Sequence, residues 1–426
     1  MKPGSLQAAQ VAALLLSASY GIGFLFGSGQ QAVAHGMAGA LYGVASAAGM
    51  LALAALAPAL WRRGLAVWDL FAETLGERAG RVVAVLSLVW MSGVLAAQIQ
   101  GAVAVAQLLG LGKHLALVRV VALVVWASRM ALRRAANLFS ACLLASAGVL
   151  VYALFAQGGV ALLPGAPASF VAELPRLGWV QAGVMTLAIS LLVCTGADYH
   201  QFLLAARSAR SAALGCAVAA LGLALLAFLP PALALAYLAH APDASSLDTR
   251  QVVPAALAHT ARCLVPGADL LMLAVLATAA LGSGAAILRA MAQALASAAP
   301  PAWRAWPSSL RIAAVVPALL LAAREQGIVD TMVSVNAVYI ATVGVTLVAL
   351  LRGRAQDAAI ELRVMAAGGA ASAAAWIASG LGAWPGSGDL WTLGAGLGAA
   401  GVTALALRRR QRRRIGVPQR HVVPGP

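Results

Sequence analysis

Apolar residues fill this chain in blocks of roughly the twenty residues that a helix needs to cross a bilayer, and short clusters of arginine, glycine and proline separate them. Twelve such blocks centre near Leu15, Ala48, Leu95, Ala122, Ala145, Leu187, Leu221, Val275, Val316, Val338, Ala371 and Leu397. Several run longer than one crossing requires, which predicts tilted or broken helices. A β-barrel would show alternating segments of about ten residues instead. The longest stretches between blocks are 61–81, 158–178 and 241–267. The first contains "LAVWDLFAETLG" and predicts an amphipathic helix at the interface. The last contains "DTRQVVPAALAHTARCLVPG" and predicts a short helix pair folded over the outer face.

Composition turns this pattern into a class. Of 426 residues, 62% are hydrophobic and 10% charged, whereas a soluble domain carries about 25% charged residues. The mean hydropathy is +0.89. So few charges cannot cover a soluble surface, and the chain reads as an all-α integral membrane protein. The net charge of +16 does not point to nucleic acid. With the N-terminus inside, 23 of the 29 basic residues fall on one side, and only Lys113, Arg119, Arg176, Arg250, Arg262 and Arg324 fall on the other. That asymmetry follows the positive-inside rule and places both termini in the cytoplasm of a bacterial inner membrane. The tail "LRRRQRRRIGVPQR" is then a topology anchor against anionic lipid. The N-terminus does not read as a signal peptide. Cys142, Cys194, Cys216 and Cys263 are scattered, and they form neither a disulfide framework nor a zinc motif.

Two blocks are interrupted. The first carries "ASYGIGFLFGSGQQ", with Gly21, Gly23, Gly27 and Gly29 in apolar sequence. The second carries "CTGADYHQ" between two apolar runs. They fall in spans 1 and 6, the spacing that two repeats of five helices produce, and the charge count gives those spans opposite directions. The expected organisation is a five-helix repeat over 1–158, an inverted repeat over 176–352, two further helices over 358–407 and a basic tail over 408–426. Interrupted spans at matching positions in two halves point to a transporter's central site. Backbone freed at bilayer depth must find partners in protein, water, an ion or a solute. Close packing of small residues is the competing explanation for the glycines, and Gly23 and Gly27 have its spacing.

In this order along nearly the whole chain, several segments resemble the sodium:solute symporter family. They are "FGSGQQAVAHG", "WRRGLAVWDLFAETLGERAGR", "AAQIQGAVAVAQLLG", "GADYHQFLLAARSAR" and the stretch from "DTRQVVP" to "AMAQAL". The resemblance implies a LeuT-type 5+5 inverted repeat, here without the extra helix that most of the family has before its first core helix. It implies a sodium ion as the bound cofactor. The ion would be held by backbone near Ser17, Ala18, Tyr20 and Gly21 and by the eighth core helix at Ala274, Ala277 and Thr278. The family's A-x-x-S-T pattern in that helix stands here as Ala274 to Thr278, with Ala277 in the serine position. The solute site it implies comprises Gly21, Gly23, Phe24, Met91, Gln98, Thr195, Gly196, Asp198 and Tyr339.

The polar residues admit two readings each. Asp198 either binds a proton, cation or basic solute, or caps the second half-helix. Gln98, and likewise Asn336 and Tyr339, either contact solute or bond between helices. His200 reads as interfacial, and His35 as a lone residue near the outer surface. No enzyme constellation is present. The expected function is ion-coupled symport of a small organic solute, driven by sodium or, with the altered serine position, by protons or uncoupled. A non-transporting sensor or partner subunit on the same scaffold is the alternative from another class.

Overall fold

The loss of helical backbone at Tyr20–Gly21 and at Gly196 organises the whole chain around two broken helices. The computed structural model describes all residues except 1–3, 5, 131, 242–245, 305–306, 324–326, 354–356, 384–387 and 416–426. The basic tail beyond 415 and the Ser17 side chain thus lie outside the described set. Among the described residues the regular structure is helical, apart from one isolated parallel bridge between Leu6 and Ala206.

The first helix is α1 (Ala8–Ser19), which stops and restarts as α2 (Ile22–His35). A 3₁₀ turn, Gly36–Ala40, reverses the chain into α3 (Leu41–Arg63), which ends at Gly64 in the left-handed region with φ 67°. An amphipathic helix, α4 (Val67–Leu75), follows as expected and packs on the long α5 (Glu77–Leu108). Then come α6 (Lys113–Ala127), α7 (Leu132–Ala156) and the short α8 (Ala166–Leu177). A bend of 110° joins α8 to α9 (Trp179–Thr195). The second broken helix is α9 with α10 (Ala197–Leu204). Next are α11 (Ala209–Leu226) and α12 (Leu229–His240). The described residues 248–267 hold a 3₁₀ turn, Thr249–Gln251, and one α-helix, α13 (Val252–Leu264), where the sequence predicted a helix pair. Pro254 lies in its first turn, where proline is tolerated because that N–H has no helical partner. The remainder is α14 (Ala268–Ala298), α15 (Pro301–Arg304), α16 (Pro307–Ala322), α17 (Ile328–Leu351), α18 (Ala358–Gly380) and α19 (Gly388–Ile415).

Each of the twelve apolar blocks is helical, but length alone does not mark them all as crossings. Among the described residues five helical stretches are long and apolar enough to span a membrane, and the bent pair α8–α9 makes up to six. The breaks leave 12 residues in α1 and 8 in α10, and α6 and α16 run to 15 and 16 residues.

Packing partners position the breaks. The helix α1 lies on α10 and α11, while α2 lies on α5, α12, α13 and α17. The helix α5 runs against both α14 and α17. At the start of the chain the Leu6 N–H donates to the Ala205 carbonyl (3.1 Å), and the Arg207 N–H donates to the Leu6 carbonyl (2.9 Å). The indole N–H of Trp61, near the end of α3, donates to the Ala206 carbonyl at 2.7 Å.

The last two helices pair with each other and pack on α17. Gly396 lets α19 reach α17, because a β-carbon there would overlap Ala341 and lie 2.7 Å from the Ser372 β-carbon. Arg408 of α19 bonds Glu361 of α18 at 2.5 Å, with the Glu361 side chain 1% exposed and Arg408 30%. Removing the carboxylate leaves a guanidinium half inside the protein. Glu361→Ala is expected to lower stability by about 1–3 kcal/mol, less than a fully buried pair because Arg408 reaches solvent. Thermal unfolding in detergent measures it, and an unchanged Tm would show that the pair contributes nothing.

Candidate functional site between the two broken helices

At the first break the Tyr20 N–H still closes on Leu16 (2.7 Å), but the next residues leave the helical path. Gly21 is extended, with φ −71° and ψ −179°, and caps α2. The N–H groups of Phe24 and Leu25 both turn to the Gly21 carbonyl, at 2.9 and 3.1 Å. The Tyr20 carbonyl therefore loses the partner that a continuous helix would supply. Any residue can adopt this φ, so space explains the glycine. A β-carbon at Gly21 would sit 3.3 Å from Gln98 Nε2 and 3.5 Å from Ser283 Oγ.

The glycines that follow have a different task. A β-carbon at Gly23 would meet Met332 Cε at 3.3 Å, and one at Gly27 would meet Val329 Cγ2 at 2.9 Å. At Gly29 it would overlap Val253 of α13. These positions seat α2 against the first turns of α17 and under α13. The Gln30 side chain completes the seat by accepting the Ile328 N–H at 3.0 Å. This face of α2 is thus closed, and small-residue packing accounts for it.

At the second break Gly196 caps α10, with φ −66° and ψ 118°. Two carbonyls at the end of α9 find side chains. His200 Nε2 lies 2.8 Å from the Cys194 carbonyl, which it satisfies as the N–H tautomer. The Tyr339 hydroxyl donates to the Thr195 carbonyl at 3.0 Å. His200 is 1% exposed, so the expectation of an interfacial residue gives way to a buried strut across the break. Asp198 sits in the first turn of α10, where an acid complements the helix dipole. One of its oxygens, Oδ1, is buried without a partner. Asp198 lies within electrostatic reach of Tyr42, Tyr199 and Tyr339.

One face of α17 joins the two breaks. Met332, Asn336 and Tyr339 recur at i, i+4 and i+7, so they share that face. Met332 meets Gly23 at the first break, and Tyr339 meets Thr195 at the second. Asn336 stands between them. Opposite, Met91 and Gln98 share a face of α5, and the Trp90 ring lies 6.0 Å from the Tyr339 ring, centroid to centroid. Phe24 packs between Tyr20 and Tyr42, at 5.1 and 6.1 Å.

Comparison with known proteins places this geometry. No family model and no curated protein sequence matches the chain. Solved structures do. A Na+-coupled sialic acid symporter in a substrate-bound outward-open state aligns with a TM-score of 0.63 at 13% identity, over 94% of this chain and 95% of that one. Mhp1, a nucleobase-cation-symport-1 family transporter in a closed conformation with bromovinylhydantoin bound, aligns with a TM-score of 0.60 at 17% identity, over 96% and 94%. The fold is the LeuT-type fold. A manganese transporter of Eremococcus coleocola shares it with a TM-score of 0.54 at 15% identity, over 95% of each chain.

Within the LeuT-type fold the predicted solute residues fall into the two groups just described. Gly21, Gly23, Phe24 and Gln98 gather at the first break, and Thr195, Gly196, Asp198 and Tyr339 at the second, with Met91 one turn pair along α5 from Gln98. The predicted ion residues do not gather. Ala18, Tyr20 and Gly21 lie at the first break, but the α14 residue facing Gly21 is Ser283. Thr278 is five residues earlier, roughly 7.5 Å along the helix and about 140° around it. Its hydroxyl donates to the carbonyl of Ala274 at 2.7 Å, and neither Ala274 nor Ala277 is buried. Ser283 was missed by sequence reasoning. The signal available was Ala280-Leu281-Gly282-Ser283, which repeats the A-x-x-S part of the family pattern in a second register.

Proposed function

We propose that this chain is a secondary transporter of a small organic solute in a bacterial inner membrane, working by alternating access. The observation that carries the proposal is the pair of broken helices whose ends converge on Gln98 of α5, Ser283 of α14 and the Met332–Tyr339 face of α17. The residues fall into two five-helix repeats, 1–158 and 176–352, followed by two helices over 358–407, with the arginine-rich side in the cytoplasm. Solute would bind among Gly21, Gln98, Asp198, Asn336 and Tyr339. Outer access would be closed by α2 seated on α17 and α13, the arrangement seen here. Opening that seat while α1 and α10 close on the other side would exchange access between the two faces.

Residues at the first break fit a hard monovalent cation in part. The Tyr20 carbonyl has lost its helical partner, and Ser283 Oγ lies beside Gly21; both are oxygens of the kind such ions take. Tyr20 and Ser283 would hold a sodium ion there, and its charge would be met by these two oxygens. Ala274, Ala277 and Thr278 would not take part. The sodium:solute symporter family is the assignment that the ordered segments favour.

Uptake into proteoliposomes tests the proposal, with labelled proline, glucose, uracil and sialic acid as probes. Accumulation of a probe under an inward sodium gradient, lost in Ser283→Ala, is the expected result. Dependence on a proton gradient alone would move the coupling from sodium to protons. Saturable binding without flux of any probe would replace the transporter by a sensor.

A further inference from the structure

The centre of the protein holds more hydrogen-bonding capacity than it uses. Gln98 and Asn336 are 5% and 1% exposed. The Gln98 Oε1, both amide atoms of Asn336 and the Asp198 Oδ1 are buried with no partner. Buried polar atoms in native proteins are nearly always paired, and a set of exceptions in one place calls for a ligand. The α17 face that carries Asn336 touches Gly23 on one side and Thr195 on the other, and Gln98 abuts Gly21 and Gly23, so Asn336 stands between the two breaks.

The chemistry of the set restricts what it takes. No lysine or arginine lies within seven residues of Gln98, Asn336 or Asp198 in the chain. A carboxylate or phosphate would gain no cation from the segments that carry these groups, and would meet Asp198. Of these four atoms three accept hydrogen bonds and one donates, and the buried Trp90 indole N–H is a further donor without a partner. A hexose presents about five hydroxyls, each with a donor and acceptors, and most would stay unpaired here. A carboxamide instead matches a cis-amide edge with two coplanar hydrogen bonds, as Asn and Gln do on the adenine edge. Flat rings stand at both breaks, Phe24 beside Tyr20 at the first and Trp90 beside Tyr339 at the second, and such faces suit a planar solute.

We infer that this site takes an uncharged planar amide or ureide, a lactam or imide ring with adjacent N–H and C=O groups, gripped between the carboxamides of Gln98 and Asn336. One N–H of the ring gives the Asn336 oxygen its missing donor while the adjacent carbonyl accepts from Asn336 Nδ2, and a second N–H, which a ureide has and a lactam lacks, serves Gln98 Oε1. Asp198 Oδ1 takes a further N–H where the ring has one. This inference rests on the transporter proposal for the location of the site and not for its chemistry.

The test uses the full-length protein in nanodiscs, with isothermal titration of uracil and 2-pyrrolidinone and with glucose and proline as comparators. Uracil is expected to bind more tightly than 2-pyrrolidinone, and both more tightly than glucose or proline. Asn336→Ala and Gln98→Ala are each expected to weaken uracil binding at least about tenfold, as loss of a bidentate partner does. Because the ligand ranking is measured on unaltered protein, misfolding of either variant leaves the test intact. Binding of glucose or proline with no binding of either amide at millimolar concentration overturns the inference, and so does the absence of binding by every probe. Uracil binding without counterflow would sink the transporter proposal and leave this one standing. Counterflow of proline or glucose with no amide binding would do the reverse.

Discussion

Gly27→Leu is expected to hold the outer side of the protein open and to cut uptake at least about tenfold. Even a β-carbon at this position would lie 2.9 Å from Val329 Cγ2 and 3.4 Å from Ile328 Cγ2. Three further carbons cannot be placed without lifting α2 off α17. Overpacking of this kind costs about 1–3 kcal/mol where the structure must absorb it. In the proposed cycle the structure has another course, because α2 would leave its seat. Each ~1.4 kcal/mol against the closed form shifts the balance about tenfold toward the open one. Two measurements separate this outcome from simple damage. In a cysteine-free background, Met332→Cys is expected to react with an impermeant maleimide from outside only when Gly27→Leu is present. Solute binding from the outer side should survive while transport fails. Unchanged maleimide protection together with normal uptake would show that this contact is not the outer closure.

His200→Ala should be the most destabilising single change at the second break. It removes the partner of the Cys194 carbonyl, which lies 2.8 Å from the ring nitrogen at a buried position. An unpaired carbonyl at membrane depth costs several kcal/mol, and the cavity left by the ring adds to it. Tyr339→Phe removes one hydroxyl from the Thr195 carbonyl and keeps the ring, so its expected cost is smaller, about 1–2 kcal/mol. The double variant should exceed the sum if the two struts hold one break, since neighbours in a network are not additive. Thermal unfolding of purified variants in one detergent gives the ranking. His200→Gln, which keeps a donor, should recover part of the loss. Equal stability of the alanine variant and the parent would mean that water, not His200, satisfies the carbonyl.

The breaks were legible in the sequence because glycine and polar residues interrupt apolar runs, and the structure has each break where the sequence puts it. Gly21 and Gly196 are the caps of the second half-helices. What the glycines of α2 do was less legible. Gly23, Gly27 and Gly29 satisfy both a ligand-facing backbone and a packing stripe, and only the positions of Met332, Val329 and Val253 decide for packing. Rotation of a helix is harder still to read. The α14 helix is rich in alanine and glycine on every side, so the sequence carries no strong apolar face to fix which residue points at Gly21. Thr278 and Ser283 both suit the proposed role in isolation, and the structure puts Ser283 beside Gly21. His200 shows a third limit. A side chain that reaches back six residues to a carbonyl across a break leaves no periodic mark, so a polar residue near a helix end reads as surface.

The bridge at the start of the chain has a mechanical consequence. Leu6 is held between Ala205 and Arg207 by two backbone hydrogen bonds, and Trp61 holds the carbonyl of Ala206 between them. Farther along, α1 nests into α11, where a β-carbon at Gly215 would lie 2.6 Å from Val11 Cγ1 and one at Gly222 2.9 Å from Leu16 Cδ2. The half-helices α1 and α10 are thereby yoked together, each ending at its own break, Tyr20–Gly21 or Gly196. A change that displaces Leu6 would therefore load both breaks at once.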